Sequence, residues 1–218
     1  MTRSKKETVK RYAALLIGLY FMALSVRLSV ATGLGTSPIS TLPNVFAYIF
    51  PDISFGVIMF IWNMVLLVAQ IIILRKDFKP VQLLQIPLSF VFSAMLDFNQ
   101  YLLSFITTES IVIKIIMLVA GCILLGFSVF ITVRANVIMN SGEGIVKAIA
   151  DKTHFEFGYV KVALDVSYVV IGAVISFAVS GRLNGIGLGT VFLAVCTGFA
   201  VKFFTKLLGA KVDAFLSE

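Results

Sequence analysis

The stretch SVRLSVATGLGTSPIS, residues 25–40, ends a long apolar run with an arginine and follows it with glycines, hydroxyls and a proline. A charge in hydrocarbon is costly, and a glycine break in a membrane helix frees backbone groups that need partners. The stretch therefore predicts the end of a spanning helix, a loop and a short second helix. Ser37 followed by Pro38 has the form of an N-cap with proline at the first helical position, which starts that short helix at residue 38 and carries it to about residue 48. It is read either as a re-entrant half-helix or as an amphipathic helix on the outer surface.

The rest of the chain has the composition of a membrane protein. Of 218 residues, 59% are hydrophobic and 13% charged, and the mean hydropathy is +1.02, against about 25% charged residues in soluble domains. At about 20 apolar residues per span, this length holds roughly six spans and no sizeable soluble domain. Apolar runs bounded by charges place the spans at 12–31, 55–74, 81–105, 115–133, 158–179 and 186–207, in a single membrane domain over residues 1–218. The basic N-terminal run is read as a tail, 1–11, before a retained first span.

The net charge of +7 encodes topology rather than nucleic-acid binding. Fifteen of the eighteen Lys and Arg residues fall on one side of the six-span scheme, and only Arg27, Lys114 and Arg182 on the other. The positive-inside rule then puts both termini in the cytoplasm of a plasma-membrane protein.

Two halves of similar plan are expected, 12–106 and 115–207. SVRLSVATGLGTSPIS lies over TVRANVIMNSGEGIVK at an offset of about 107, pairing Arg27 with Arg134 and Gly35 with Gly142. SFGVIMFIWN lies over EFGYVKVALD at about 102, pairing Gly56 with Gly158 and Asn63 with Asp165. Three spans per half force opposite orientations, so the fold class is all-α, polytopic, with two inverted three-helix repeats and a short broken or re-entrant helix in each. In secondary transporters such repeats enclose a midplane site built on broken helices.

Candidate binding residues follow from that plan. A helix N-terminus near an arginine suits an anion. Arg27 with Gly33, Gly35, Thr36 and Ser37, and Arg134 with Ser141 and Gly142, are expected to engage an acidic group from opposite sides. In the competing reading each arginine satisfies carbonyls of its own broken helix or reaches toward head groups. Asp165, about 10 Å into the fifth span, is either paired with Lys161 or Arg134 or is a proton or cation site facing Asn63. Ser40, Thr41 and Asn44 are expected either to add polar contacts or to form a solvated helix face, and Asp97 reads as an interfacial cap, Glu143 and Lys147 as an exposed i,i+4 pair, and Thr153 with Glu156 as a capping box opening the fifth span.

Cys122 and Cys196 lie in apolar runs without metal or redox spacing, and His154 sits in a loop. No catalytic motif is present, so neither an enzyme nor a cofactor is expected. With these residues placed, VRLSVATGLGTSPIS (26–40), NSGEGIVKAIADKTHFEFGYVKVALDV (140–166) and LNGIGLGTV (183–191) resemble the bacterial YczE/YyaS/YitT-type integral membrane proteins over most of the chain. The resemblance implies a multi-span membrane fold and a suggested transport role. The leading expectation is a secondary transporter or exporter of a small anionic or zwitterionic solute. A substrate-binding membrane subunit of a modular uptake system and a membrane scaffold for other enzymes are the alternatives. Expected partners are the bilayer, the solute, and a membrane partner protein or a second copy, with no nucleic acid.

Overall fold

Hydroxyl caps and left-handed residues punctuate the described residues into eight α-helices. Ser4 and Ser54 accept the N–H groups of Glu7 and Val57. Gly33, Asn136, His154 and Gly181 stop helices with positive φ, the backbone state that closes a helix end. The computed structural model describes residues 4–106 and 109–217, so the first three residues of the predicted tail lie outside it. Its helices are α1 (Lys5–Thr32), α2 (Pro38–Ile49), α3 (Phe55–Leu74), α4 (Gln85–Leu102), α5 (Ile111–Ala135), α6 (Ser141–Thr153), α7 (Phe157–Ser180) and α8 (Leu188–Ser217). Two 3-10 turns, Arg75–Asp77 and Pro80–Leu84, join α3 to α4. There is no strand among the described residues.

Six of the helical segments are long and apolar enough to cross a bilayer. α2 and α6 are not: at 12 and 13 residues they reach only about 18–20 Å, short of a hydrocarbon core of about 30 Å. Val57, Ile61, Val65, Val68 and Ile72 expose an apolar stripe on α3, and Val191, Val195, Phe199 and Phe203 do so on α8. Surfaces of that extent belong against lipid.

The halves pack by exchange. α3 lies on α6 and α2 on α7, so each short helix rests on a long helix of the other half; likewise α1 lies on α4 and α5 on α8, while α1 and α5 pair with each other. The α1–α5 crossing is antiparallel. Gly18 faces Ser128 and Thr132, and Gly121 faces Ser25 and Ser29. These contacts map onto one another at a shift of 103 residues, as Gly18 to Gly121, Ser25 to Ser128 and Ser29 to Thr132. Leu15, Leu19 and Met22 are buried as are their counterparts Leu118, Cys122 and Leu125. A second cluster, Leu42, Leu66, Ile145 and Tyr168, consists of two such pairs, at 103 and 102. Equivalent helices running oppositely through one shared interface are the geometry of an inverted repeat.

That register corrects the offset of 107. Helix starts at Pro38 and Ser141, and at Phe55 and Phe157, fix it at 102–103, which pairs Arg27 with Phe130 and Gly35 with Ile138. The Val-Arg match lies one helical turn out of phase. The Gly56–Gly158 and Asn63–Asp165 pairings stand in the observed register. The expected capping box also fails. Thr153 ends α6 with its hydroxyl on the Ile149 carbonyl, and α7 starts after Glu156 without a side-chain cap.

The α1–α5 contact depends on two glycines. A Cβ at Gly18 would lie 2.5 Å from Thr132 Cγ2, and one at Gly121 would lie 2.9 Å from Ser29 Oγ, whereas Gly158 has open space. Gly18→Val and Gly121→Val should each destabilise the detergent-solubilised protein by about 1–3 kcal/mol. Gly158→Ala should leave it unchanged or more stable by up to about 1 kcal/mol, read by thermal unfolding of the purified chain.

Candidate functional site

Both short helices are re-entrant with respect to the helix bundle. After α5, the Ala135 carbonyl accepts Arg11 Nη1 at 3.2 Å. Five residues on, Asn140 Nδ2 reaches Met22 Sδ at 3.7 Å. Arg11 and Met22 stand about 16 Å apart along α1, so loop 136–140 dives into the bundle. α6 climbs back out to Lys152, which pairs with Asp77 at 2.5 Å. From the other half, Ile39 of α2 comes so close to Gly142 of α6 that a Cβ there would lie 1.9 Å from Ile39 Cδ1. The two helices therefore meet by their N-terminal turns, at positions that exchange with each other in the repeat.

Most polar groups at these ends are held by the protein, the buried Thr36 hydroxyl excepted. Asn140 accepts the Ser141 N–H at 2.8 Å. Gln70 and Gln85 exchange amide hydrogen bonds at 3.2 and 3.1 Å, and Gln70 also donates to the Ser141 carbonyl at 3.2 Å. On α2, Ser37 donates to Ser40, Thr41 to the Ser37 carbonyl and Asn44 to the Gly185 carbonyl. Ser40, Thr41 and Asn44 are thus buried and make polar contacts within the protein, the first of the two expected readings.

Beside the α6 N-terminus opens a cleft of about 360 Å³, within the range of small-molecule sites. α1 contributes Leu15, Leu19 and Met22, α5 contributes Val129 and Thr132, and Glu143 and Lys161 bring charge. Lys161 is committed to Asp165, with Nζ at 2.6 Å from Oδ1. Glu143 has no ion pair within 4 Å among the described residues. Burial pushes its carboxyl above the ordinary range, opposed by the Lys161 charge and the Asn140 backbone N–H. The expected Glu143–Lys147 pair is absent, because Lys147 turns to Asp151 at 3.4 Å.

The exchange register locates the same place in the other half, and there it is closed. Leu118 and Cys122, counterparts of Leu15 and Leu19, are packed with Leu34, Phe192 and Leu193. Gly189 N–H donates to the Leu34 carbonyl at 2.9 Å, and Thr36 N–H to Thr190 Oγ1 at 3.2 Å. Gly187 and Gly189 permit this contact, since a Cβ on either would strike the Leu34 carbonyl. The cleft thus opens at the end that carries both termini, where Lys10 Nζ meets the Phe215 carbonyl, and its counterpart is sealed.

The predicted residues separate into groups. Gly33, Gly35, Thr36 and Ser37 form the loop under that seal. Arg27 lies elsewhere: its guanidinium stands 5.1 Å over Phe55, under the electrostatic influence of Asp97 and Tyr48, and so at the far end of α2. Arg27 has no hydrogen bond or ion pair among the described residues, and its Nε is buried without a partner. Arg134 instead pairs with Asp213 at the other end of the bundle. Ser141 and Gly142 stand where α2 and α6 meet. Asp165 holds Lys161, and Asn63 is buried with an unpartnered Nδ2. Asp97 caps α3 through Gly56 N–H at 2.8 Å and the Ser54 hydroxyl at 2.7 Å.

Sequence reasoning missed Glu143 and Lys161 as a facing set, although both stood in one quoted motif, and missed the buried Gln70–Gln85 pair. Because the folded chain holds the Glu143 proton more tightly than the unfolded chain, where glutamate titrates near 4.5, stability should fall as pH rises from there through the raised folded value. Glu143→Gln should remove that component, checked by thermal unfolding across the acid-to-neutral range.

No curated protein and no solved structure matches this chain. A family described as of unknown function, DUF6198, matches residues 9–206, nearly the whole helical bundle. By that match the chain is a member of the DUF6198 family.

Proposed function

We propose that this protein is a secondary transporter that moves a small anionic or zwitterionic solute through the interface between its inverted halves. One observation carries the reading: a cleft open at one end of the bundle has a symmetry counterpart at the other end that hydrogen bonds between α8 and the 34–36 loop tie across. In an inverted repeat, exchanging the conformations of the halves opens the second cleft and closes the first, which is alternating access about a fixed site. The meeting point of α2 and α6 is that site, with their N-terminal turns directed at it. Arg27, over Phe55 at the far end of α2, is an outer anchor for the acidic group before it reaches that point, with no ion pair among the described residues that binding would have to break. The resemblance to the YczE/YyaS/YitT type supports the reading, and the basic residues orient both termini toward the cytoplasm of a bacterial plasma membrane.

The test is solute counterflow in proteoliposomes of the purified chain. Arg27→Gln should lower flux about tenfold or more while costing no more than about 1 kcal/mol of stability, the loss of the cation–π contact over Phe55. Wild-type flux in Arg27→Gln would remove the anchor. Absence of flux with retained solute binding would favour a substrate-binding subunit served by a separate energising partner.

A further inference from the structure

The open cleft carries a carboxyl group that no ion pair neutralises among the described residues. Its walls are mainly aliphatic, and of its two charged residues Lys161 is neutralised by Asp165. Glu143 has no ion pair among the described residues, with the Lys161 charge and the Asn140 backbone N–H favouring its ionised form against burial. At the equivalent position of α2 stands Ser40, and the first turn of α2 contains no acid, so a helix of this kind is built without one. A carboxylate in the first turn does favour the helix dipole, but that role calls for a solvated position rather than the wall of a largely apolar cleft.

We propose that this cleft binds a solute bearing an ammonium or other organic cation on an apolar body, with Glu143 as its counter-ion, and that the bound cation replaces a proton on that carboxylate. The proposal rests on the transporter reading for its consequence, a zwitterionic solute exchanged against a proton, but the binding step stands on the cleft alone. Around Glu143, α1, α4 and α5 present no titratable side chain to the cleft. α7 presents Lys161 with Asp165 behind it, α3 brings the neutral Gln70 against Gly144, and Lys147 of α6 is occupied by Asp151. Burial of Glu143 favours its protonated form when the cleft holds no cation, so a cation meets a proton it must displace.

The experiment is equilibrium binding of tetraphenylphosphonium to the full chain in neutral detergent, over a pH series, beside the uncharged triphenylphosphine oxide. Affinity should rise about tenfold per pH unit below the Glu143 titration, the slope of one proton released. Glu143→Gln should weaken binding about tenfold to a hundredfold and abolish the slope. Glu143→Asp should keep the slope, which guards against a folding defect in the first variant, and Lys147→Gln should bind as the parent does. Equal binding of the neutral analogue, or an unchanged slope in Glu143→Gln, overturns the proposal. Displacement of the probe by phosphatidylethanolamine but not phosphatidylglycerol assigns the cation to a lipid head group; displacement by neither assigns it to a soluble solute. Binding without flux leaves this site standing and removes only the transport cycle, so the two readings fail separately.

Discussion

Everything in this fold turns on where the backbone groups at the starts of α2 and α6 find partners. In a bilayer each unsatisfied group costs several kcal/mol, so a helix that stops part-way through must be enclosed by protein. Here the enclosure is mutual. α2 is held by α7 and the 185–190 segment, and α6 by α3 and the Gln70–Gln85 pair. The two N-terminal turns meet at Ile39 and Gly142. Each half therefore completes the other.

Mutual completion explains why small residues gather where they do. Gly18 and Gly121 let α1 and α5 approach across the repeat axis, and Gly142 admits Ile39. Gly187 and Gly189 admit the Leu34 carbonyl and so close one end of the interface. These contacts are close approaches of backbone and small side chains, the kind that drives helix association in lipid, where apolar area alone gives no preference for protein over tails. The same economy of polar contacts makes two exceptions conspicuous: among the described residues Arg27 has no hydrogen bond, and Glu143, on a cleft wall, has no ion pair.

Span number, the two short helices, the loop at Gly33 and the opposed halves were legible in the sequence, because hydropathy, proline and glycine report local chain geometry directly. The register was legible too but was read from the wrong residues. GLYFMALSV at 18–26 over GCILLGFSV at 121–129 carries the observed shift of 103, whereas the Val-Arg match drew the eye through its charge. Arg27 and Arg134 look alike in sequence, yet one stacks on Phe55 and the other is bound to Asp213. Which partner an arginine meets depends on helices far away in the chain, and no local pattern encodes that. Glu143 was hidden for a similar reason: its i,i+4 spacing to Lys147 suggested a surface pair, and the turn of α6 that sets it in the cleft wall is fixed by α3 and α7.

The central claim is that the cleft and its closed counterpart exchange roles, and the chain carries its own reporter. Cys122 is the counterpart of Leu19; Cys122 packs against Leu34 and Leu193 where α8 is tied to the 34–36 loop, and Leu19 lines the cleft. The direct measurement is thiol reactivity toward a membrane-impermeant maleimide in proteoliposomes. Cys122 is read in a Cys196→Ser background, and Leu19→Cys in a chain whose native cysteines are replaced by serine, each with and without a solute gradient. The account predicts opposite changes: Cys122 gains reactivity from the side away from the termini under the conditions that protect position 19. Parallel changes, or a Cys122 that never reacts while solute moves, would contradict it.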